Sequence, residues 1–200
     1  IKGFDYAFRV KKQRFSLGST SEYLLGLYHI MDVSSMHPVK ALKPGSRDTV
    51  LDACSAPGGK TILLSQFMNN NGIIVSVDVN KKRMKSQLFN LQRMEVRNTN
   101  SIVMDVRNIK RLGIKFDKIL LDAPCSGTGV WWRDRRSMNR VNEKEILKYS
   151  GIQKELLKSC RQVLKHKGML VYSTCSLERE ENEDNIGYAE SLGFKIKKTK

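Results

Sequence analysis

The 200-residue sequence is short of the residues that define several classes of protein. It has 4 cysteines, none in a Cys-x-x-Cys pair, and none of its 3 histidines stands at ligand spacing from them, so it carries no zinc signature and no metal is expected. So few thiols in a chain of this length also argue against a disulfide framework, and reduced, intracellular cysteines are expected. No apolar run approaches the roughly 18 residues of a membrane helix, and no charged-apolar-small leader comes first, so no membrane association is expected. Acids are scarce as well: 20 Asp plus Glu face 36 Lys plus Arg, a formal charge of +16. That excess suits a polyanionic partner, because each neutralised phosphate releases condensed counterions. A solvated basic surface has the same composition, so charge alone does not decide between them. There is no internal repeat and no low-complexity tract. The chain starts at Ile1 and stops at Lys197-Lys198-Thr199-Lys200 without an obvious terminal element, so it is expected to be a piece of a longer protein.

What is present is an alternation of short apolar runs with longer amphipathic stretches from about Thr49 onward. Strands are expected at 49–53, 73–78, 101–104, 118–121 and 169–174, with 194–197 as the start of a sixth. Between them, helices are expected at 61–68, after Asn80 as a cap, at 143–164 and at 180–191. The expected architecture is therefore a single α/β domain over 1–200, with a Rossmann-like core at 49–200 around a mainly parallel sheet. Residues 1–48 form a less regular lead-in: Gly18-Ser19-Thr20 is a turn and cap signal, Ser21 to Leu25 looks helical, and Val33 to Met36 precedes another short helix. Ligands of such sheets sit beyond the carboxyl ends of the strands, where Asp52, Asp78, Asp105, Asp122 and Thr174-Cys175 fall.

The first strand leads into Cys54-Ser55-Ala56-Pro57-Gly58-Gly59-Lys60-Thr61. Gly58 and Gly59 let backbone approach a ligand, and the following helix offers unpaired N–H groups. A nucleotide-phosphate loop would end in the same Gly59-Lys60-Thr61, but it needs glycine where Cys54 stands. The downstream acids favour an adenosyl ligand: Asp78 is placed to grip ribose hydroxyls and Asp105 to accept from the adenine amino group. Any one of these would otherwise be read as a helix cap or solvated loop residue. Arg83 is a further candidate for this pocket, although a surface helix arginine looks the same.

Two cysteines stand at strand ends in polar, Ser/Gly-rich surroundings: Cys125 in Asp122-Ala123-Pro124-Cys125-Ser126-Gly127, and Cys175 in Ser173-Thr174-Cys175-Ser176. Free cysteine is most often small buried filler, which suits Cys160 on its amphipathic helix, and Cys54 is expected to line the pocket. Cys125 and Cys175 are instead candidates for thiol chemistry. Asp122 can hold the edge of a base, and Lys60 can lower a thiol pKa or contact a base or phosphate. The pattern does not choose between the thiols: a Pro-Cys motif points to Cys125, as in DNA cytosine-5 methyltransferases.

The order of these motifs resembles the NSUN (Sun/nucleolar proliferation antigen) family of RNA cytosine-5 methyltransferases. The resemblance covers Phe15 to Leu24 with Ser34-Ser35, the Ala56 to Thr61 loop, Asp122 to Gly129, and Ser173 to Ser176 with Glu181-Asn182. Met31 stands where many members have Gln, Ser55 where Ala is frequent, and the family's last strand and aromatic-rich carboxyl-terminal motif are not found. The resemblance implies a class I S-adenosylmethionine-dependent fold, with Cys54 through Lys60, Asp78, Asp105 and Asp122 binding the cofactor. It implies that Cys175 attacks cytosine and Cys125 assists release. It further implies rRNA or tRNA as the substrate class, with pre-ribosomal particles as expected partners, and a location in the cytoplasm of a prokaryote or the nucleolus of a eukaryote. A monomer is expected. A non-catalytic ribosome-assembly factor that binds the cofactor and RNA is the alternative from a different class. Trp131 and Trp132 with Arg133, Arg135 and Arg136 follow Cys125; Trp132 and the arginines are expected to touch RNA, since a target base must leave its stack to reach a thiol.

Overall fold

The computed structural model describes residues 1–11, 14–130 and 142–197. Five parallel strands build the sheet: β1 (Thr49–Ala53), β2 (Ile73–Asp78), β3 (Thr99–Val103), β4 (Phe116–Asp122) and β5 (Leu164–Ser173), in the order β3-β2-β1-β4-β5. Among the described residues six α-helices accompany them: α1 (Ser21–Leu24), α2 (Val33–Leu42), α3 (Gly59–Phe67), α4 (Lys81–Arg93), α5 (Glu143–Val163) and α6 (Glu183–Ser191).

Central strands of a parallel sheet are covered on both faces, and the side-chain period of two distributes them accordingly. Leu51, Ala53, Val75, Val77, Ile119 and Leu121 face one way, onto Leu156, Leu157, Cys160 and Val163 of α5. Their neighbours Val50, Ile74 and Leu120 face the other way, onto Val39 and Leu42 of α2 and Leu63 and Leu64 of α3. The strand order reverses between β1 and β4, because β4 returns to the opposite side of β1 after β3. That reversal opens a crevice at their carboxyl ends. Register pairs Ala53 with both Val77 and Leu121, and Asp122 with Ser173, so the segments that follow β1, β4 and β5 emerge side by side.

The lead-in is fastened rather than loose. Arg93, nearly buried at the end of α4, donates through Nη1 to the Tyr23 and Tyr28 carbonyls (2.5 and 3.1 Å), and its guanidinium lies over the Tyr23 ring. Gly26, at φ 77°, is required here: a Cβ would fall 1.9 Å from the Arg93 carbonyl oxygen.

Three expectations need correction. The final helix is split, with a 3-10 turn at Arg179–Glu181 before α6. β5 begins at Leu164 rather than Met169, and its extra residues pass through a register shift opposite Phe116/Lys118, with Lys167 at φ 61°. No strand forms at 194–197: the Phe194 amide bonds the Ala189 carbonyl, turning the ring back onto the core instead of along a sheet edge. Among the described residues no helix is long and apolar enough to cross a membrane.

Candidate active site

The loop after β1 turns sharply, with Cys54 in the left-handed region at φ 78°. Its tightness comes from double use of one acceptor: the Cys54 and Ser55 amides both donate to the Val77 carbonyl at 2.9 Å. Asp78 closes the turn from below. Its Oδ2 accepts from the Ala56 amide (3.2 Å) and its Oδ1 from the Asn80 amide (2.8 Å), and it is 2% exposed. Arg83 donates to the Ala56 carbonyl and lies 3.5 Å from Asp78, so in this structure it braces the loop. Two supports were missed in the sequence. Gln87 accepts from the Ser55 hydroxyl (2.8 Å), and Asn90 donates to the Pro57 carbonyl (3.0 Å). The signal was there: Arg83, Gln87 and Asn90 lie at i, i+4 and i+7 on α4, a polar stripe on one helical face.

The loop ends in Gly58 (φ 98°) and Gly59, and α3 starts without a side-chain cap. The first N–H groups of a helix have no intrahelical acceptor, so the amides after Gly58 are offered to a ligand. His29 and Met31 of the lead-in sit against this turn. Their Nε2 and Cε lie 3.2 and 3.4 Å from where a Gly59 Cβ would be. Arg93 Nη2 lies 3.1 Å from His29 Nδ1, and since arginine only donates, the proton of a neutral His29 is on Nε2, facing the turn. Burial and then the Arg93 charge lower the His29 pKa, keeping it neutral.

Of the strand-end acids, Asp52 is fully buried. Its Oδ2 accepts from Thr61 (2.6 Å), its Oδ1 has no partner among the described residues, and burial pushes its pKa up to about 7. Asp105 caps the 3-10 turn Val106–Leu112 by accepting from the Arg107 amide and also binds the Arg107 guanidinium, which holds its carboxyl below the usual range. Asp122 is gripped from two sides, by Lys60 at 2.6 Å and by the Ser173 hydroxyl at 2.7 Å.

Beside that pair lie the two thiols. Cys125 Sγ and Cys175 Sγ are 2.8 Å apart, and the Cys175 amide donates to Cys125 Sγ at 3.3 Å. The thiols are unequal. A hydrogen bond from Cys125 lowers the Cys175 pKa to about 7 against the opposing effects of burial and Asp122, with Lys60 assisting. Donating that bond, and burial, push Cys125 up. Cys175 is exposed, whereas Cys160 is buried and pushed up to about 12, and Cys54 is raised by burial. Iodoacetamide modification of Cys175 should therefore follow a midpoint near pH 7, with the thiolate present above it and lost below. Cys125→Ala should move the midpoint up toward an ordinary thiol value, as read by mass spectrometry of the Cys175 peptide. An unmoved midpoint would remove Cys125 as the cause.

Trp131, Trp132, Arg133, Arg135 and Arg136 lie outside the described residues. Among the described residues, no group of three or more His, Cys, Asp or Glu side chains is placed to hold a metal ion.

A parallel sheet of this order, with a glycine turn after β1 and acids at the strand ends, defines a Rossmann-like methyltransferase domain. The profile of the 16S rRNA methyltransferase RsmB/F family matches residues 39–193, and the chain belongs to that family. It is 45% identical over 177 residues to a human 28S rRNA (cytosine(4447)-C(5))-methyltransferase, covering 86% of this chain and 22% of that protein. It is 36% identical over 196 residues to a tRNA (cytosine(72)-C(5))-methyltransferase of Pyrococcus horikoshii, covering 95% and 49%. The crystal structure of NSun6 from Pyrococcus horikoshii with SFG superposes with a TM-score of 0.86 at 35% identity, covering 91% of this chain and 47% of that one. The chain thus spans less than half the length of these relatives.

Proposed function

We propose that the protein is an S-adenosylmethionine-dependent RNA methyltransferase that forms 5-methylcytosine in rRNA or tRNA, with Cys175 as nucleophile. The observation that carries this reading is the close, unequal thiol pair beside Lys60–Asp122 at the crevice between β1 and β4. The names of the relatives, which act on cytosine C5 of rRNA and tRNA, support the substrate class. A relative solved with SFG, an S-adenosylmethionine analogue, supports the cofactor.

The residues present fit that cofactor: the uncapped start of α3 offers amides, and the turn around Gly58 brings backbone rather than side chain to the crevice. Cys54 through Lys60 would hold it, with Asp78, Asp105 and Asp122 at the neighbouring strand ends and Arg83 bracing the loop. When bound, S-adenosylmethionine supplies the methyl group that carbon 5 accepts. The protein's own task is to make carbon 5 a nucleophile. The Cys175 thiolate adds to carbon 6 of the cytosine, and the ring electrons displaced toward carbon 5 become available there. Asp122, held by Lys60 and Ser173, faces the same space and is placed to bind the base edge. After methylation, carbon 5 gives up its proton to a base and the carbon 6–sulfur bond breaks, returning its electron pair to Cys175.

Cys125 suits the base role because bonding the base to Cys175 changes Cys125 itself. Its hydrogen bond to the Cys175 thiolate is the main cause of its raised pKa, and that thiolate is consumed in the adduct. Only burial then opposes its ionisation, so Cys125 more readily gives up its own proton to solvent and stands as the thiolate that takes the carbon 5 proton.

The intact protein, given tritium-labelled methyl donor, should label cytosine in rRNA or tRNA and leave DNA unlabelled. Label in DNA instead, or binding of RNA and cofactor without transfer, would contradict the proposal; the latter would indicate an assembly factor.

A further inference from the structure

Glu181 is completely buried, and no cation pairs with it among the described residues. Its carboxylate instead collects donors from both cysteine loops. Oε1 accepts from the hydroxyl of Ser126, the residue after Cys125, and from the hydroxyl of Ser176, the residue after Cys175 (2.8 Å). Oε2 accepts from the Ser126 amide (3.1 Å) and from Gln153 Nε2 of α5 (2.7 Å). Gln153 Nε2 also donates to the carbonyl of Pro124, on the other side of Cys125 (2.8 Å). The same convergence brings Ser126 Oγ to within 3.1 Å of Ser176 Oγ, and the Gly129 amide donates to the Cys175 carbonyl at 2.9 Å, joining the two loops directly.

Burying an ionised carboxylate costs several kcal/mol unless it is fully hydrogen-bonded. A structural filler at this place would more cheaply be neutral. What a carboxylate offers is acceptor capacity on both oxygens and no donor. Four donors from Ser126, Ser176 and Gln153 converge on it, and an amide would set its own N–H groups against one side of them. Glu181 therefore determines how closely the loop after β4 can lie against the loop after β5. The sulfur separation depends on that closeness.

We propose that Glu181 is a positioning residue for the nucleophile: it clamps the Cys125 loop to the Cys175 loop so that one thiol can donate to the other. It touches neither sulfur and acts through Ser126 and Ser176. The inference rests on Cys175 being the nucleophile, and its test separates the two ideas.

In the intact protein, the pH dependence of Cys175 modification by iodoacetamide is followed by mass spectrometry, alongside kcat, KM for RNA and calorimetric affinity for S-adenosylmethionine. Glu181→Gln, the isosteric change, should raise the Cys175 midpoint by about one unit or more, slowing modification at pH 7.5 about threefold. It should lower kcat with little change in KM or cofactor affinity, and raising the pH should recover part of the loss. Ser126→Ala, which removes a single hydroxyl donor, should shift the midpoint the same way by less, and it decides the matter if Glu181→Gln does not fold. A midpoint unmoved in the folded variants, or a loss of kcat matched by loss of cofactor affinity, overturns the positioning role. A wild-type midpoint near 9 instead overturns the thiolate reading of Cys175.

Discussion

Replacing Cys175 with alanine should abolish methyl transfer to RNA, by at least about 10⁴-fold in kcat. Carbon 5 of cytosine has no nucleophilic strength of its own, and no other described side chain is placed to create it. Cys125 is the only other thiol within reach, 2.8 Å from Cys175, and its proton is held more tightly than in a free thiol. Cofactor affinity should survive the substitution, because the cofactor loop is braced from β2 and α4 by Asp78, Arg83, Gln87 and Asn90, none of which bonds Cys175. The alanine variant should thus bind methyl donor normally, as measured by calorimetry, while transferring nothing. Residual transfer at a tenth of the wild-type rate would show that the adduct does not run through Cys175.

Cys125→Ala should have a different signature, because Cys125 acts twice. Without its hydrogen bond the Cys175 thiol returns toward an ordinary pKa, so the thiolate fraction at pH 7.5 falls about 20-fold and attack slows with it. Once attack has occurred, removal of the carbon 5 proton has lost its nearby base, a contribution commonly of about 10²–10⁴-fold. The first effect is relieved by raising the pH toward 9, and the second is not. Turnover should therefore stay low at every pH while a covalent protein–RNA complex accumulates, faster at pH 9 than at pH 7.5. A variant that turns over normally at pH 9 without accumulating adduct would leave Cys125 with the first role only.

Much of this is legible in the sequence itself. Five of the six expected strands form, because buried parallel strands write their apolar runs plainly, and Asn80 caps α4 as its position suggests, accepting from the Lys82 and Arg83 amides. The strand-end acids and cysteines were legible for the same reason, since topology alone sends them to one edge. What an acid does at that edge was not. Asp78 and Asp105 look alike in sequence, yet Asp78 holds its own loop from a buried position whereas Asp105 is half-exposed and bound to Arg107. Glu181 was visible only as part of a family motif, because four donors meeting on one carboxylate belong to three separated segments of chain. Phe194 to Lys197 misled for a local reason: their alternation suits a strand, but the bond from the Phe194 amide to α6 turns the chain away from the sheet.

The division of labour between the thiols is the centre of the account, and one measurement addresses it directly. Cys125→Ala protein is incubated with RNA and S-adenosylmethionine, the denaturation-resistant complex is isolated, and the nucleotide-bearing peptide is identified by mass spectrometry. The account predicts a methylated cytosine on the Cys175 peptide, and no complex from the Cys125→Ala/Cys175→Ala double variant. An adduct carried by Cys125, surviving Cys175→Ala and lost with Cys125→Ala, would contradict it.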